Sequence, residues 1–384
     1  MRVAIACSGL GHVNRGVEAW ASDLAAALRG AGVDAMLFQA AGPENAWTRT
    51  LPCLRRTGRG ATALGPLCRQ LGGWRWGVGS DYEVEQASFC LPLWRHIRSA
   101  FDILHVQDAT IALCFERLRR LGLSRPRVIL GNGTDTPPEI LRRLSAVQLL
   151  SPAEGAAWER QKPAGQLVFT IPNFVDTDAF RPGDRAAARR AVGLPEDAFV
   201  VLCCAALRKT HKRIDYLLRE VSALRDGHGD ALLVIAGGRD SDTGALMQLG
   251  AGLLGERVRF LVDHPRERMP ELYRAADAFA LASLHEPFGI VLVEAMSAGL
   301  PVACHDGPVF RHVVGPGGLF ADLAREGALS GLLARLAAPE TRRALSRAAR
   351  QRAERRFSAP VVVAQILAMY RGVAAAGFDM ERAA

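Results

Sequence analysis

The stretch of this sequence best suited to chemistry is His285-Glu286-Pro-Phe288-Gly289-Ile290-Val291-Leu-Val-Glu294-Ala-Met-Ser-Ala-Gly299-Leu-Pro301. It predicts a strand end, a turn and a helix beginning near Gly289. The first amides of a helix have no partner inside it and carry the positive end of its dipole, which suits a phosphate. Gly289 lacks a β-carbon and lets a ligand approach the backbone, so Phe288, Gly289, Ile290 and Val291 would supply the donors. Glu286 stands just before the helix, and Glu294 lies about 8 Å along its axis at ~1.5 Å per residue. Acceptor-only carboxylates at both flanks of a diphosphate match hydroxyl donors, a sugar at Glu286 and a ribose at Glu294. The bland alternative makes Glu286 a helix cap and Glu294 a surface residue.

A departing nucleoside diphosphate gathers negative charge, which cations at a strand end stabilise. The strand read over 199–205 runs into Arg208-Lys209-Thr-His211-Lys212-Arg213, a basic turn that would serve this purpose or simply be solvated. After the first strand come Ser8-Gly-Leu-Gly11-His12-Val-Asn14. Gly11 would let donor phosphate or acceptor lie close to the backbone, and His12 and Asn14 would touch the acceptor. An exposed loop histidine is the alternative for His12. Val262-Asp263-His264 follows another strand, where His264 would meet the nucleotide base. Asp240-Ser-Asp242 mimics a metal-binding D-x-D pair but reads as a polar loop, and no metal ligand set is assigned.

These residues resemble the retaining glycosyltransferases of the GT-B fold, in the large family 4 group. Glu286–Val302 follows E-P-F-G-x-x-x-x-E-A-M-A-x-G-x-P-V almost throughout. Arg15-Gly16-Val17-Glu18 looks like the Gly-Gly-x-Glu after the first strand, and Ile171-Pro-Asn-Phe-Val-Asp176 like the interdomain I-P-N-G-V-D. Asp277–Ser283 looks like the strand leading to the donor motif. The resemblance implies a sugar moved from a nucleotide-diphosphate sugar to a hydroxyl acceptor with retention, without metal or cofactor. It implies catalytic roles for Glu286, Lys212, Arg208 and His12. Lys212 aligns through Ile214-Asp215, whereas Arg208 takes the family's arginine role only if the loop is shortened. The family's D-I-x-H-x-H strand end is Asp102-Ile-Leu-His105-Val-Gln107-Asp108 here. Gln107 replaces the second histidine, so the acceptor contact made there is altered, with Asp108 beside it. Gly-His-Val at position 12 also looks like inverting GT-B enzymes, in which such a histidine acts as general base.

The positioning elements follow a βα rhythm. Residues 2–7 read as a strand, 17–29 as a helix with apolar residues at helical spacing, and 35–38 as the next strand. Further strands are read at 103–106, 128–130, 146–150 and 167–171, and a second such series runs from 199 to 304. Residues 43–100 read as irregular, with Trp47, Trp74, Trp76 and Tyr82 available to stack on sugars. The fold class expected is therefore α/β: two Rossmann-like doubly wound domains facing an interdomain cleft, GT-B by resemblance. The acceptor-binding domain is expected at 1–173, with the helix 361–384 packing back on it, and the nucleotide-sugar domain at 178–358.

At 384 residues with 49% hydrophobic and 23% charged residues, the chain suits two globular domains rather than disorder. Its formal charge of +9 favours anionic partners. Without a recognition motif, nucleic acid is not expected; a glycan, lipid-linked or small-molecule acceptor is, with peripheral contact to an anionic membrane as a further option. Eight cysteines without a CxxC pair suggest reduced thiols and a cytoplasmic setting, and no stretch reads as a membrane span. The competing readings are a nucleotide-sugar epimerase, a phosphorylase, a silent nucleotide-sugar-binding protein and a dinucleotide oxidoreductase. The last lacks its ribose-binding acid, since the second strand leads into Gln39.

Overall fold

The computed structural model describes residues 1–13, 16–70, 78–134, 136–224 and 231–382; Asn14, Arg15, Trp74 and Trp76 lie outside these. It contains two compact units, Met1–Pro172 with Val362–Ala384, and Asn173–Val361.

In order, the first unit runs β1 (Arg2–Cys7), α1 (Gly16–Gly30), β2 (Asp34–Gln39), β3 (Thr48–Thr50), α2 (Arg59–Gln70), α3 (Asp81–Ile97) and β4 (Ile103–Val106). Then come α4 (Ala109–Arg120), β5 (Arg127–Gly131), α5 (Pro138–Leu141), β6 (Ala146–Leu149), α6 (Pro152–Glu159) and β7 (Leu167–Thr170). The strands form one parallel sheet in the order β3-β2-β1-β4-β5-β6-β7. Val3 to Cys7 are at most 1% exposed, as expected of a central strand covered on both faces.

The second unit runs α7 (Arg185–Val192), β8 (Phe199–Cys204), α8 (Ile214–Ser222), β9 (Ala231–Gly237), α9 (Thr243–Leu254), β10 (Val258–Val262), α10 (Met269–Ala275) and β11 (Ala278–Leu281). It continues with α11 (Ile290–Ser297), β12 (Val302–His305), α12 (Pro308–Val314), β13 (Gly318–Ala321), α13 (Ala328–Ala337) and α14 (Pro339–Phe357). Its parallel sheet has the order β10-β9-β8-β11-β12-β13. Both sheets reverse direction of growth once, beside β1 and β4 in the first and beside β8 and β11 in the second. In open α/β sheets ligands settle at the carboxyl ends of strands at such a switch point. The loops after β1, β4, β8 and β11 are the ones holding most of the candidate residues.

Two expectations need correction. The region 43–100 is not irregular, because it holds β3, α2 and α3. Pro66 and Pro92 lie inside these helices. A proline removes a helical N–H and reads as a breaker, which hid both helices. A signal for α3 was nonetheless present: Ser80 caps it, accepting from the Glu83 amide, with Asp81 and Glu83 in its first turn. The second correction concerns α15 (Ala359–Arg382), whose window Ala359–Ala376 is long and apolar enough to cross a membrane, with mean hydropathy 1.5. Val362, Ile366, Met369, Tyr370 and Val373 form a buried face at helical spacing, which accounts for that composition. Tyr370 hydrogen-bonds through its hydroxyl to His105 Nδ1 in β4, at 2.8 Å. All eight cysteines are free.

Candidate functional site

The loop after β11 turns into α11 at Gly289, whose φ is 84°. A β-carbon there would be strained by the backbone and would lie 2.7 Å from Leu292 Cδ1, so the turn requires glycine. Phe288 anchors the turn from below, buried edge-on against Phe357 at 5.7 Å between ring centroids. The first turn closes with the Leu292 amide on the Gly289 carbonyl, 2.9 Å. Among the described residues, the amides of Phe288, Gly289, Ile290 and Val291 find no protein acceptor. Gly289, Ile290 and Val291 are only half-buried, so this part of the turn is not sealed in the core, whereas Phe288 is 2% exposed.

Acids stand on both sides. Glu286 is 6% exposed, and Lys212 Nζ from the loop after β8 lies 2.5 Å from its Oε1. His211 bonds the His285 carbonyl at 2.8 Å and lies 3.9 Å from the same Glu286 oxygen. Glu294 is 4% exposed and therefore no surface residue. Tyr273 donates to its Oε2 at 2.8 Å, and Arg266 Nη1 lies 3.5 Å from its Oε1. The structure thus brings Glu286, Lys212 and the α11 amides together.

Arg208 sits differently from Lys212. Its Nε and Nη2 both bond Asp240 Oδ2, at 3.0 and 2.6 Å. Against a burial penalty, these bonds hold the Asp240 carboxyl below its ordinary value. Asp242 accepts from the Lys209 amide at 2.9 Å. The aspartates of the D-x-D look-alike therefore pin the basic loop. His264 is half-buried after β10, and its Nε2 is withdrawn from solvent without a hydrogen-bond partner among the described residues. Burial and then the charge of Arg268 push its imidazole below the ordinary value.

The switch point of the first unit is built around a buried carboxylate absent from the candidates, Glu85 of α3. It accepts from the Arg56 amide at 2.8 Å, from Arg56 Nε and Nη2 at 3.0 and 2.6 Å, and from Ser8 Oγ at 3.1 Å. His12 Nε2 lies 2.7 Å from its Oε2, the oxygen that the Arg56 amide also reaches. Burial works to raise the Glu85 carboxyl, but the bonds from Arg56 and His12 prevail and hold it below the ordinary range. Gly9 crosses close above this cluster; a β-carbon there would lie 2.2 Å from Glu18 and 2.6 Å from Arg56. Gly11, at φ 90°, brings the loop against Ala41, whose carbonyl oxygen would lie 1.9 Å from a β-carbon. Its close approach is thus to the protein's own backbone.

Gln107 and Asp108 are 2% and 1% exposed, below the surface on which an acceptor contact was expected. Gln107 lies under Gly131 and Gly133. Asp108 accepts from the Ser8 amide and, at 2.7 Å, from Tyr82, and its Oδ2 lies 3.0 Å from the Ser8 hydroxyl oxygen. Burial lifts its carboxyl above the ordinary value despite these bonds. Burial and Asp108 also push the Tyr82 phenol up, keeping it a donor, while Arg56 covers its ring at 4.1 Å. His105 is fully buried, and burial brings its imidazole down to about 3. It is a neutral core residue. Glu85 and Arg56 bond across 29 positions and Glu85 and His12 across 73, so no local motif announced them.

Residues 184–352 match the family model of glycosyl transferases group 1. A D-inositol 3-phosphate glycosyltransferase of Saccharomonospora viridis is 36% identical over 275 residues, 63% of this chain and 61% of its own. That of Nocardia farcinica is 35% identical over 189 residues, 45% of this chain and 42% of its own. The chain spans about half the length of the curated relatives it matches. Among solved structures, sucrose-phosphate synthase from Thermosynechococcus elongatus superposes with a TM-score of 0.75 at 21% identity, covering 98% of this chain and 99% of that one. Anabaena HepE in complex with UDP and glucose gives 0.71 at 17% identity, covering 96% and 99%. The α11 turn lies inside the segment that matches the glycosyl transferases group 1 model, and the chain shares the two-domain α/β fold, GT-B, of those solved structures.

Proposed function

We propose that the protein transfers a sugar from a nucleotide-diphosphate sugar to a hydroxyl of a small acceptor, with retention of configuration. One observation carries this reading: the amides of Phe288–Val291, without an acceptor among the described residues, stand between two buried carboxylates, with Lys212 at one of them. The amides and the helix dipole would hold the diphosphate. Lys212, released from Glu286, would neutralise charge building on the leaving phosphate, with Arg208 nearby on the same loop. Glu286 and Glu294 would accept from sugar and ribose hydroxyls. Positioning and charge stabilisation then supply the catalysis, and on a same-face path the departing phosphate oxygen takes the acceptor proton. HepE was solved with UDP and with UDP-glucose, which supports a uridine nucleotide as the first donor to try. The names of the curated relatives and the net charge of +9 support a phosphorylated polyol as acceptor. Eight free cysteines favour a reducing, cytoplasmic compartment.

A second reading rests on His12. Its 2.7 Å contact with buried Glu85 is the pairing that orients a general base, which an inverting transferase would need. A thermal-shift panel of UDP-, GDP-, ADP- and TDP-sugars identifies the donor, because a specific ligand raises stability. Proton NMR of the product from an α-linked donor then decides between the readings. An α-linkage supports retention, and a β-linkage supports His12 as base and ends the retaining proposal.

A further inference from the structure

Resting on the donor reading above, we infer that Tyr273 is a positioning residue: by holding Glu294, it sets how the site distinguishes ribose from a deoxyribose. Its hydroxyl donates to Glu294 Oε2 at 2.8 Å and lies 3.5 Å from the Val291 carbonyl. It therefore meets α11 at the carboxylate and at the turn bearing the open amides.

The phenol is fully buried and rigidly packed. Phe180 meets its ring edge-on at 5.4 Å, and Phe279 lies at 5.9 Å with 32° between the planes. A ring so enclosed has one place for its oxygen. Burial, with the neighbouring Cys204 and Glu294, pushes the phenol well above its ordinary value. The hydroxyl keeps its proton, and Glu294 Oε2 at 2.8 Å is a nearer acceptor than the Val291 carbonyl.

The opposite pull comes from Arg266, whose half-exposed guanidinium lies 3.5 Å from Glu294 Oε1. Without Tyr273, the hydrogen bond that holds Oε2 to the core is lost, while Arg266 still pulls on Oε1 from the exposed side. With it, one oxygen is fixed to the core and the plane of the carboxylate is set. A carboxylate accepts from ribose hydroxyls only where its lone pairs are aimed, so a fixed plane reads hydroxyl position and a loose one does not. Nothing in the donor motif itself specifies this, because Tyr273 belongs to α10, which precedes β11.

The test compares Tyr273→Phe, which keeps the packed ring, with Glu294→Ala and the double variant. Calorimetry would measure Kd for the tightest binder among UDP, GDP and ADP, and for its 2′-deoxy and 3′-deoxy counterparts. The wild type should prefer the ribonucleotide over at least one deoxy form by roughly five- to tenfold, about one hydrogen bond. Tyr273→Phe should reduce that preference to about twofold or less, and the double variant should lose no more than Glu294→Ala alone. A merely structural role would weaken all the nucleotides alike and leave the ratio intact, overturning the inference. If Glu294→Ala also keeps the ratio, or none of the nucleotides binds, the donor reading itself falls.

Discussion

At the end of β1, five hydrogen bonds converge on Glu85, and Asp108 ties Ser8 to Tyr82. At the end of β11, four successive amides of the α11 turn are left without an acceptor among the described residues. Both places are switch points of parallel sheets, where the fold leaves room for a ligand. The first unit fills its room with charges that satisfy one another, fixing the loop from Ser8 to His12. The second unit leaves its donors unmet and stations Glu286 and Glu294 around them. The difference separates a switch point stiffened from within from one whose donors stay open.

The largest effect expected from breaking this contrast is Glu85→Ala. Removing a buried carboxylate leaves Arg56 and His12 without their partner, which should cost about 3–5 kcal/mol of unfolding free energy. Chemical denaturation measures this loss, and nucleotide affinity in the folded fraction should change by less than about threefold. A comparable loss of affinity would erase the distinction between the two regions. Lys212→Ala should do the reverse. Forfeiting a charge-assisted hydrogen bond of roughly 1.5–3 kcal/mol should raise the calorimetric Kd for a nucleoside diphosphate by roughly ten- to a hundredfold. Unchanged affinity would remove Lys212 from the diphosphate site. Gly289→Ala should have a smaller, mixed effect. Forcing alanine to φ 84° costs about 1–3 kcal/mol, relieved by distorting the turn. Stability and affinity should fall together, and a variant with both intact would show that the turn does not need its left-handed residue.

The same contrast governs what the sequence disclosed. Glu286, Gly289 and Glu294 lie within one strand–turn–helix, so their spacing and the helix geometry carried the reading. Lys212 was legible because cations after a strand point to a place in the fold. Glu85 was not, because its partners Ser8, His12 and Arg56 come from 77, 73 and 29 residues away and only tertiary packing unites them. Pro66 and Pro92 deepened the gap by hiding the helices, though the Ser80–Glu83 cap marked where α3 begins. Gln107 and Asp108 were placed on the correct strand end, but burial there follows from the loops that cover them. Local patterns thus disclosed the strand–turn–helix arrangement around α11, and the self-satisfied cluster emerged only from the fold.

The most direct measurement is a crystal structure with the tightest-binding nucleoside diphosphate. The account predicts phosphate oxygens about 2.7–3.2 Å from the amides of the Phe288–Val291 turn, with the ribose at Glu294 and Lys212 turned from Glu286 to the phosphates. A nucleotide bound elsewhere, with those amides facing water or other protein atoms, would contradict it.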